Sequence, residues 1–478
     1  MKFDEEYFNS DEFKDLLYGY EAAVEAGEHP FLDADDLVDI ADYYNYSGDY
    51  DKATATIAYA LSLFPHATLP NVFMARKALY DGDFERARQY ADSIDSKDDP
   101  DYHYLVAEIL IAEERTDEAD RYLRDYARTV DDDEYQDFVK DCANLYIDYG
   151  IGEKAYEWMM RVKGDDSDDF KELMANTLFR MGKYKDSARV INELIDRHPY
   201  SKDYWNSLAT SQFMDEDYSN AIASSEFAIA IDPDDPEGLS SKANSLFRLG
   251  NYEEALDYFQ RYGQIIPDDP YVILNQAACL VSLGKKDEAV KLMERVLQSD
   301  IIDDDELEAQ YCQELAFCYS SMKRPREAIE LLDKTLDLPC DHMDMMVIRG
   351  HILLENGLAE EAEAVYRKII LEAGNRPSVL LRVIVSLYDN GYAKASYDMF
   401  KVYFKFVSDY HPDFQNGYAY MALCCLELNK MEEFLHYLQL AVKHCPQEVR
   451  LTLSHLFPPD IKADEYYDYI IRQLSKSK

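Results

Sequence analysis

A small residue that returns at a nearly fixed interval constrains this chain more than any other feature. The string Gly-x-aromatic-x-x-Ala occurs as Gly48-Asp49-Tyr50-Asp51-Lys52-Ala53, Gly82-Asp83-Phe84-Glu85-Arg86-Ala87 and Gly250-Asn251-Tyr252-Glu253-Glu254-Ala255. Its final alanine can be followed along the sequence as Ala53, Ala87, Ala119, Ala155, Ser187, Ala221, Ala255, Ala289, Ala328, Ala362, Ala395 and Phe434. Five of the eleven intervals are 34 residues and the others run from 32 to 39. A period of this length over most of a chain marks stacked supersecondary units.

A register chosen on one residue must predict another. Twelve places earlier stand Ala41, Ala75, Ala107, Ala143, Ala175, Ala209, Ala243, Ala277, Ala316, Gly350, Val383 and Ala422, of which eleven are alanine or glycine. Twelve places later stand Pro65, Pro199, Pro233, Pro267 and Pro446, with Pro339 one place early and Pro100 one place late. Two antiparallel helices approach closely only where small side chains face each other, so both small positions belong to one contact. Glycine near the turn ends the first helix by taking a positive φ, and proline stops the second. Between these marks the apolar spacing is helical, as in Leu239, Ala243, Leu246 and Phe247, then Tyr252, Ala255, Leu256 and Phe259. Strand alternation is absent.

On these residues the chain resembles the tetratricopeptide repeat (TPR) family, whose unit is a helix pair of 34 residues with small-residue, Gly-x-Tyr and Pro positions at these spacings. The best units are residues 34–67, 168–201, 202–235 and 236–269; the second carries Gly182-Lys183-Tyr184, and the third places Trp205 where the family often has tryptophan. The weakest are at 343–414, where Val383 replaces the small residue and Gly391 is shifted. The resemblance implies an all-α fold, an α-solenoid forming a right-handed superhelix of about twelve helix pairs. The array is expected over residues 34–447, with units starting near 34, 68, 100, 136, 168, 202, 236, 270, 309, 343, 376 and 415. Residues 1–33 hold an amphipathic stretch, Phe13, Leu16, Leu17, Tyr20 and Val24, expected to cap the first unit. Residues 448–478 are expected to cap the other end through Tyr467, Ile470, Ile471 and Leu474, after Phe457-Pro458-Pro459. Solenoids need such ends because an exposed stacking face is sticky.

Charge bounds the partners. The 95 acidic and 49 basic residues give a formal net charge of -46, which repels a phosphate backbone and anionic lipid. The expected partner is a protein or peptide, through a basic or neutral segment, with no nucleic acid and no membrane. Apolar runs such as Leu380-Leu381 or Met421-Ala422-Leu423-Cys424-Cys425-Leu426 fall far short of the roughly 18 to 20 residues that cross a bilayer. The start, Met1-Lys2-Phe3-Asp4-Glu5-Glu6-Tyr7, turns acidic at once and lacks the basic and apolar regions of a secretory signal. A cytoplasmic location is expected. Nothing in the sequence sets the oligomeric state.

No catalytic, cofactor or metal residues are expected. There is no Gly-x-Gly-x-x-Gly, phosphate-binding loop, Gly-x-Ser-x-Gly elbow or His-Glu-x-x-His pair, the spacings that would carry phosphate binding, acyl transfer or zinc hydrolysis. The eight cysteines form no Cys-x-x-Cys pair and the ten histidines are scattered, whereas a structural zinc needs about four convergent ligands. His444-Cys445, and Cys312 with Cys318, lie within helix-pair patterns with no third partner in sight. The aspartate clusters Asp131 to Asp133, Asp165-Asp166 with Asp168-Asp169, and Asp303 to Asp305 lack the glycine and terminal glutamate of a calcium loop. They fit turns and helix N-caps.

In TPR proteins the first helices line a concave groove. The family's inward positions fall here on Asn176, Asn206, Thr210, Asn244 and Asn275, with Arg180 and Arg248 further along their helices. An asparagine side chain can both donate to and accept from an extended peptide backbone. Glu172, Ser240 and Leu274 occupy places where a carboxylate-clamping TPR would carry lysine, which disfavours chaperone-tail binding. The expected function is a non-enzymatic scaffold or adaptor. Its rivals are an enzyme on an α/α helical frame, which needs paired carboxylates in one pocket, and a self-assembling structural protein.

Overall fold

The computed structural model describes residues 5–28, 30–131, 133–299, 301–338, 340–372, 374, 376–458 and 461–476. Met1 to Asp4, Asp132, Pro339 and Pro459 lie outside the described residues. The chain divides into two units, Met1–Pro233 and Asp234–Lys478. The first holds α1 (Glu5–Phe8), α2 (Asp11–Glu25), α3 (Ala34–Tyr46), α4 (Tyr50–Leu63), α5 (Thr68–Tyr80), α6 (Phe84–Ser93), α7 (Pro100–Ala112), α8 (Thr116–Tyr126), α9 (Tyr135–Asp148), α10 (Gly152–Met159), α11 (Asp168–Arg180), α12 (Tyr184–Arg197), α13 (Lys202–Met214) and α14 (Tyr218–Ile231). The second holds α15 (Pro236–Arg248), α16 (Tyr252–Ile265), α17 (Pro270–Ser282), α18 (Lys286–Leu297), α19 (Asp305–Ser321), α20 (Pro325–Lys334), α21 (His342–Glu355), α22 (Ala359–Glu372), α23 (Pro377–Asp389), α24 (Ala393–Tyr410), α25 (Tyr418–Glu427), α26 (Met431–His444), α27 (Pro446–Leu453) and α28 (Tyr466–Lys476). No strand occurs among the described residues, and no helix there is long and apolar enough to cross a membrane.

From α3 to α26 the helices pack as consecutive antiparallel pairs, α3 on α4 through α25 on α26. A residue with positive φ closes each pair's turn, five places before the buried anchor: Gly48 (φ 80) before Ala53 and Gly250 (φ 81) before Ala255 are two. Glycine enters this region without a Cβ penalty. Where it is missing, Glu114, Glu216, Lys323 and Asn429 take the same backbone shape, so packing of the pair outweighs the local cost. Aspartates serve the next helix start: Asp33, Asp49, Asp83, Asp99, Asp217 and Asp304 each accept a backbone N–H at a helix N-terminus. Proline works at both ends of the loops. Pro65, Pro199 and Pro267 follow a second helix, whereas Pro100 and Pro446 open the next one.

The small-residue contact holds almost throughout, with Ala41, Ala75, Ala107, Ala143, Ala209 and Ala243 fully buried against their anchors. One anchor moves. Ala395 is exposed and its neighbour Ser396 is buried, its hydroxyl donating to the Ile384 carbonyl at 3.1 Å. Ser187 donates to the Ala175 carbonyl at 2.8 Å over the same twelve-residue step. In this pair the register is therefore Ile384 with Ser396, one place beyond Val383 and Ala395, and it agrees with Gly391 (φ 84) five places before Ser396. At Gly350 the small residue is obligatory, because a Cβ there would stand 2.6 Å from Cζ of the Tyr366 ring.

Both ends carry covering helices. Phe13 and Tyr20 of α2 are buried with Leu37, Ile40 and Ile57, and the Tyr20 hydroxyl bonds that of Thr56 at 3.0 Å, while Val24 is turned to solvent. Beyond α26, Tyr466 is buried and stacks on Phe457 at 3.7 Å, and α28 packs on α26. Tyr467 and Ile470 join this core, whereas Ile471 and Leu474 stay partly exposed, so the buried stripe of α28 starts one residue before the expected one.

Candidate functional site

In the first unit α3, α5, α7, α9 and α11, the first helices of successive pairs, each pack against the next. Each helix turns its small residue toward its own partner, so the place just beyond that residue, and those three to four away, form a stripe on the other side. These stripes meet. Asp42, Arg76 and Glu108 stand one place beyond Ala41, Ala75 and Ala107. Arg76 reaches across to α7 with Nε 2.9 Å from Glu108 Oε2 and an Nη 2.6 Å from Oε1, a forked pair whose carboxylate is nearly closed from solvent. Such geometry suits the planar guanidinium.

Carboxylates crowd around this pair. Burial, with the neighbouring Asp39 carboxylate adding to it, pushes Asp42 up to about 6 against the opposing Arg76 guanidinium. Burial also raises Asp101, where Asp99 adds and Arg76 opposes, and Asp141, which accepts the Tyr104 hydroxyl at 3.1 Å. Asp148 is raised by burial, with Glu108 adding and Arg76 and Arg180 opposing. Asp141 and Asp148 are nonetheless exposed at the surface, so the rise at these two reflects neighbouring protein around groups that water still reaches. Tyr149, at the end of α9, is pushed up to about 12 by burial beside Glu108. Asp42, Asp101, Glu108 and Asp148, from α3, α7 and α9, all lie within electrostatic reach of Arg76 on α5, and these carboxylates outnumber it.

The seven expected groove residues are divided between the units. Asn176 and Arg180 are exposed on α11, and Arg180 reaches the acidic face through its influence on Asp148. Thr210 is partly exposed, but Asn206 is only 1% exposed and closed from any bound peptide, because α13 turns it into the packed interior. In the second unit Asn244 is half-buried with its amide 3.3 Å from Ser240 Oγ, Arg248 is exposed and Asn275 is partly exposed. Glu172, at a clamp-lysine place, accepts the Tyr204 hydroxyl at 2.6 Å.

Asp42, Arg76 and Glu108 were readable in the sequence by the register rule that points to Asn176, Thr210 and Asn244. Among the described residues no group of three or more His, Cys, Asp or Glu is placed to hold a metal ion.

The family description "Tetratricopeptide repeat" matches residues 173–236 and 320–378, and "Anaphase-promoting complex, cyclosome, subunit 3" matches residues 214–296. No curated protein matches the chain. Among solved structures, a tetratricopeptide repeat protein from Parabacteroides merdae is 17% identical, with 53% of this chain and 98% of that one covered and a TM-score of 0.42. MamA from Desulfovibrio magneticus is 16% identical over 36% of this chain and 96% of its own, with a TM-score of 0.34. The APC/C hetero-tetramer Cut9-Hcn1 is 14% identical over 94% and 93%, with a TM-score of 0.33. Both family descriptions fall on helix pairs that share the Ala41-to-Phe434 register, so the matched residues, 173–296 and 320–378, carry helix pairs of the tetratricopeptide repeat type.

Proposed function

We propose that this protein is a non-enzymatic scaffold whose first-helix face holds a segment of another protein, and that the first unit takes a basic one. The observation that carries the reading is the grouping of Asp42, Asp101 and Asp148 around the Arg76–Glu108 pair across α3, α5, α7 and α9, with Asp141 next to Asp101. Carboxylates held short of water and near one another repel, and a cationic segment relieves that repulsion as it binds. The same crowding is what an acid–base enzyme would use, but here the carboxylates come from three helices, α3, α7 and α9, in different repeats, and Asp141 and Asp148 remain open to solvent. A binding surface accounts for them better than a reaction centre.

The test is photo-crosslinking from Asn176, which is exposed on this face, in the wild type and in an Asp42→Asn/Asp141→Asn/Asp148→Asn variant. Crosslinked partners with basic segments are expected, lost in the variant and weakened by raising salt from about 0.05 to 0.5 M. The same partners captured equally by both forms at both salt concentrations would remove this surface from the function.

A further inference from the structure

The acidic face also carries tyrosine rings turned to solvent. Tyr80 is 93% exposed, Tyr46 is 60% exposed and Tyr149 is 38% exposed. Tyr46 and Tyr80 are equivalent residues, 34 apart, at the ends of α3 and α5, which pack side by side. Each stands four places beyond Asp42 or Arg76, one helical turn along the same stripe. Tyr149 lies within electrostatic reach of Glu108 and Arg76. Leaving large rings in water forfeits burial at each of them, and here they recur in register beside carboxylates rather than at scattered points.

We propose that Tyr46, Tyr80 and Tyr149, with the carboxylates of Asp42 and Asp148 beside them, form a docking row for an arginine-rich segment of a partner protein, selective for arginine over lysine. The proposal rests on the basic-segment reading above and specifies its chemistry. An ammonium is a compact, strongly hydrated charge, whereas a guanidinium is planar and less hydrated; it can lie on a ring while its edge forks onto a carboxylate. This surface already shows that it accepts the shape, since the Arg76 guanidinium lies across α5 and α7 in a forked pair with Glu108. Elsewhere in the chain Arg161 lies 3.8 Å above the Trp158 ring and Arg324 lies 4.4 Å above that of Tyr319. Arg76 and Arg180 are the side-chain cations that oppose the raised Asp148, fewer than the carboxylates of Asp42, Asp101, Glu108 and Asp148, so a partner's arginines meet complementary charge.

Fluorescein-labelled peptides of eight arginines, eight lysines and eight glutamines, titrated by anisotropy at about 0.15 M salt, test it. Arginine is expected to bind about tenfold tighter than lysine, from two rings each adding a modest cation–π preference, and glutamine not at all. Tyr46→Leu/Tyr80→Leu should bring the two cationic peptides within about twofold, whereas Tyr46→Phe/Tyr80→Phe and Tyr200→Leu, at a distant exposed ring, should preserve the difference. Circular dichroism of each variant checks that the fold is kept. Equal binding of arginine and lysine by the wild type, or selectivity that survives Tyr46→Leu/Tyr80→Leu, overturns the proposal. If Asp42→Asn/Asp141→Asn/Asp148→Asn lowers both cationic peptides while the leucine variant does nothing, the row fails and the acidic surface stands; if neither set has an effect, both fail.

Discussion

Asp42→Asn should stabilise this protein at neutral pH, and the reason shows what the acidic face costs. Asp42 ionises near 6 rather than at 3.8 because burial and the Asp39 carboxylate both disfavour its charge. At about 1.4 kcal/mol per tenfold change in proton affinity the ionised form costs the fold up to about 3 kcal/mol, and partial solvent contact brings this to about 1–2 kcal/mol. The folded state holds this proton more tightly than the unfolded chain. The penalty is therefore fully present above about pH 6 and disappears as the pH falls toward 4. Asparagine carries no such charge, so its advantage should be about 1–2 kcal/mol at pH 7.5 and fall to roughly a third of that at pH 4.5. Urea unfolding followed by helical dichroism at the two pH values measures it, taking the first transition if the array unfolds in stages. An Asp42→Asn protein no more stable than the wild type at pH 7.5, or equally advantaged at both pH values, would refute the reasoning. A gain in stability accompanied by weaker binding of a basic segment would show that the crowding is kept for function.

Further substitutions at three places probe the packing. Arg76→Ala leaves the Glu108 carboxylate without its forked partner and should cost about 2 kcal/mol, discounted for the partly exposed arginine; Arg76→Ala/Glu108→Gln should recover at least half of it in the same unfolding experiment. Gly350→Ala drives a methyl group into the Tyr366 ring and should cost about 1–3 kcal/mol, and Tyr366→Leu in the same chain should relieve it. Ala395→Leu should be nearly neutral, within about 0.5 kcal/mol, while Ser396→Leu, one residue on, should lower the melting temperature sharply by overpacking the buried contact with Ile384. The opposite order would restore the Ala395 register.

The sequence alone determined the helix pair. The contact between Ala209 and Ala221, or Ala243 and Ala255, spans twelve residues and one turn, so its requirements for small side chains, a left-handed turn residue and a stop are written within a single repeat. Even the slipped register at Ser396 was signalled by Gly391, five places before it. The tertiary structure decided which polar residues share a surface. Asp42, Arg76, Glu108 and Asp148 lie in different repeats, and they face one another only because successive first helices stack at a given rotation. Asn206, three places before Ala209 on the same side of its helix, is buried, whereas Asn176, one place beyond Ala175, is exposed. Local periodicity fixes which residues press a pair together, but the outward polar residues are under no such local constraint, and their grouping follows from how pair packs on pair.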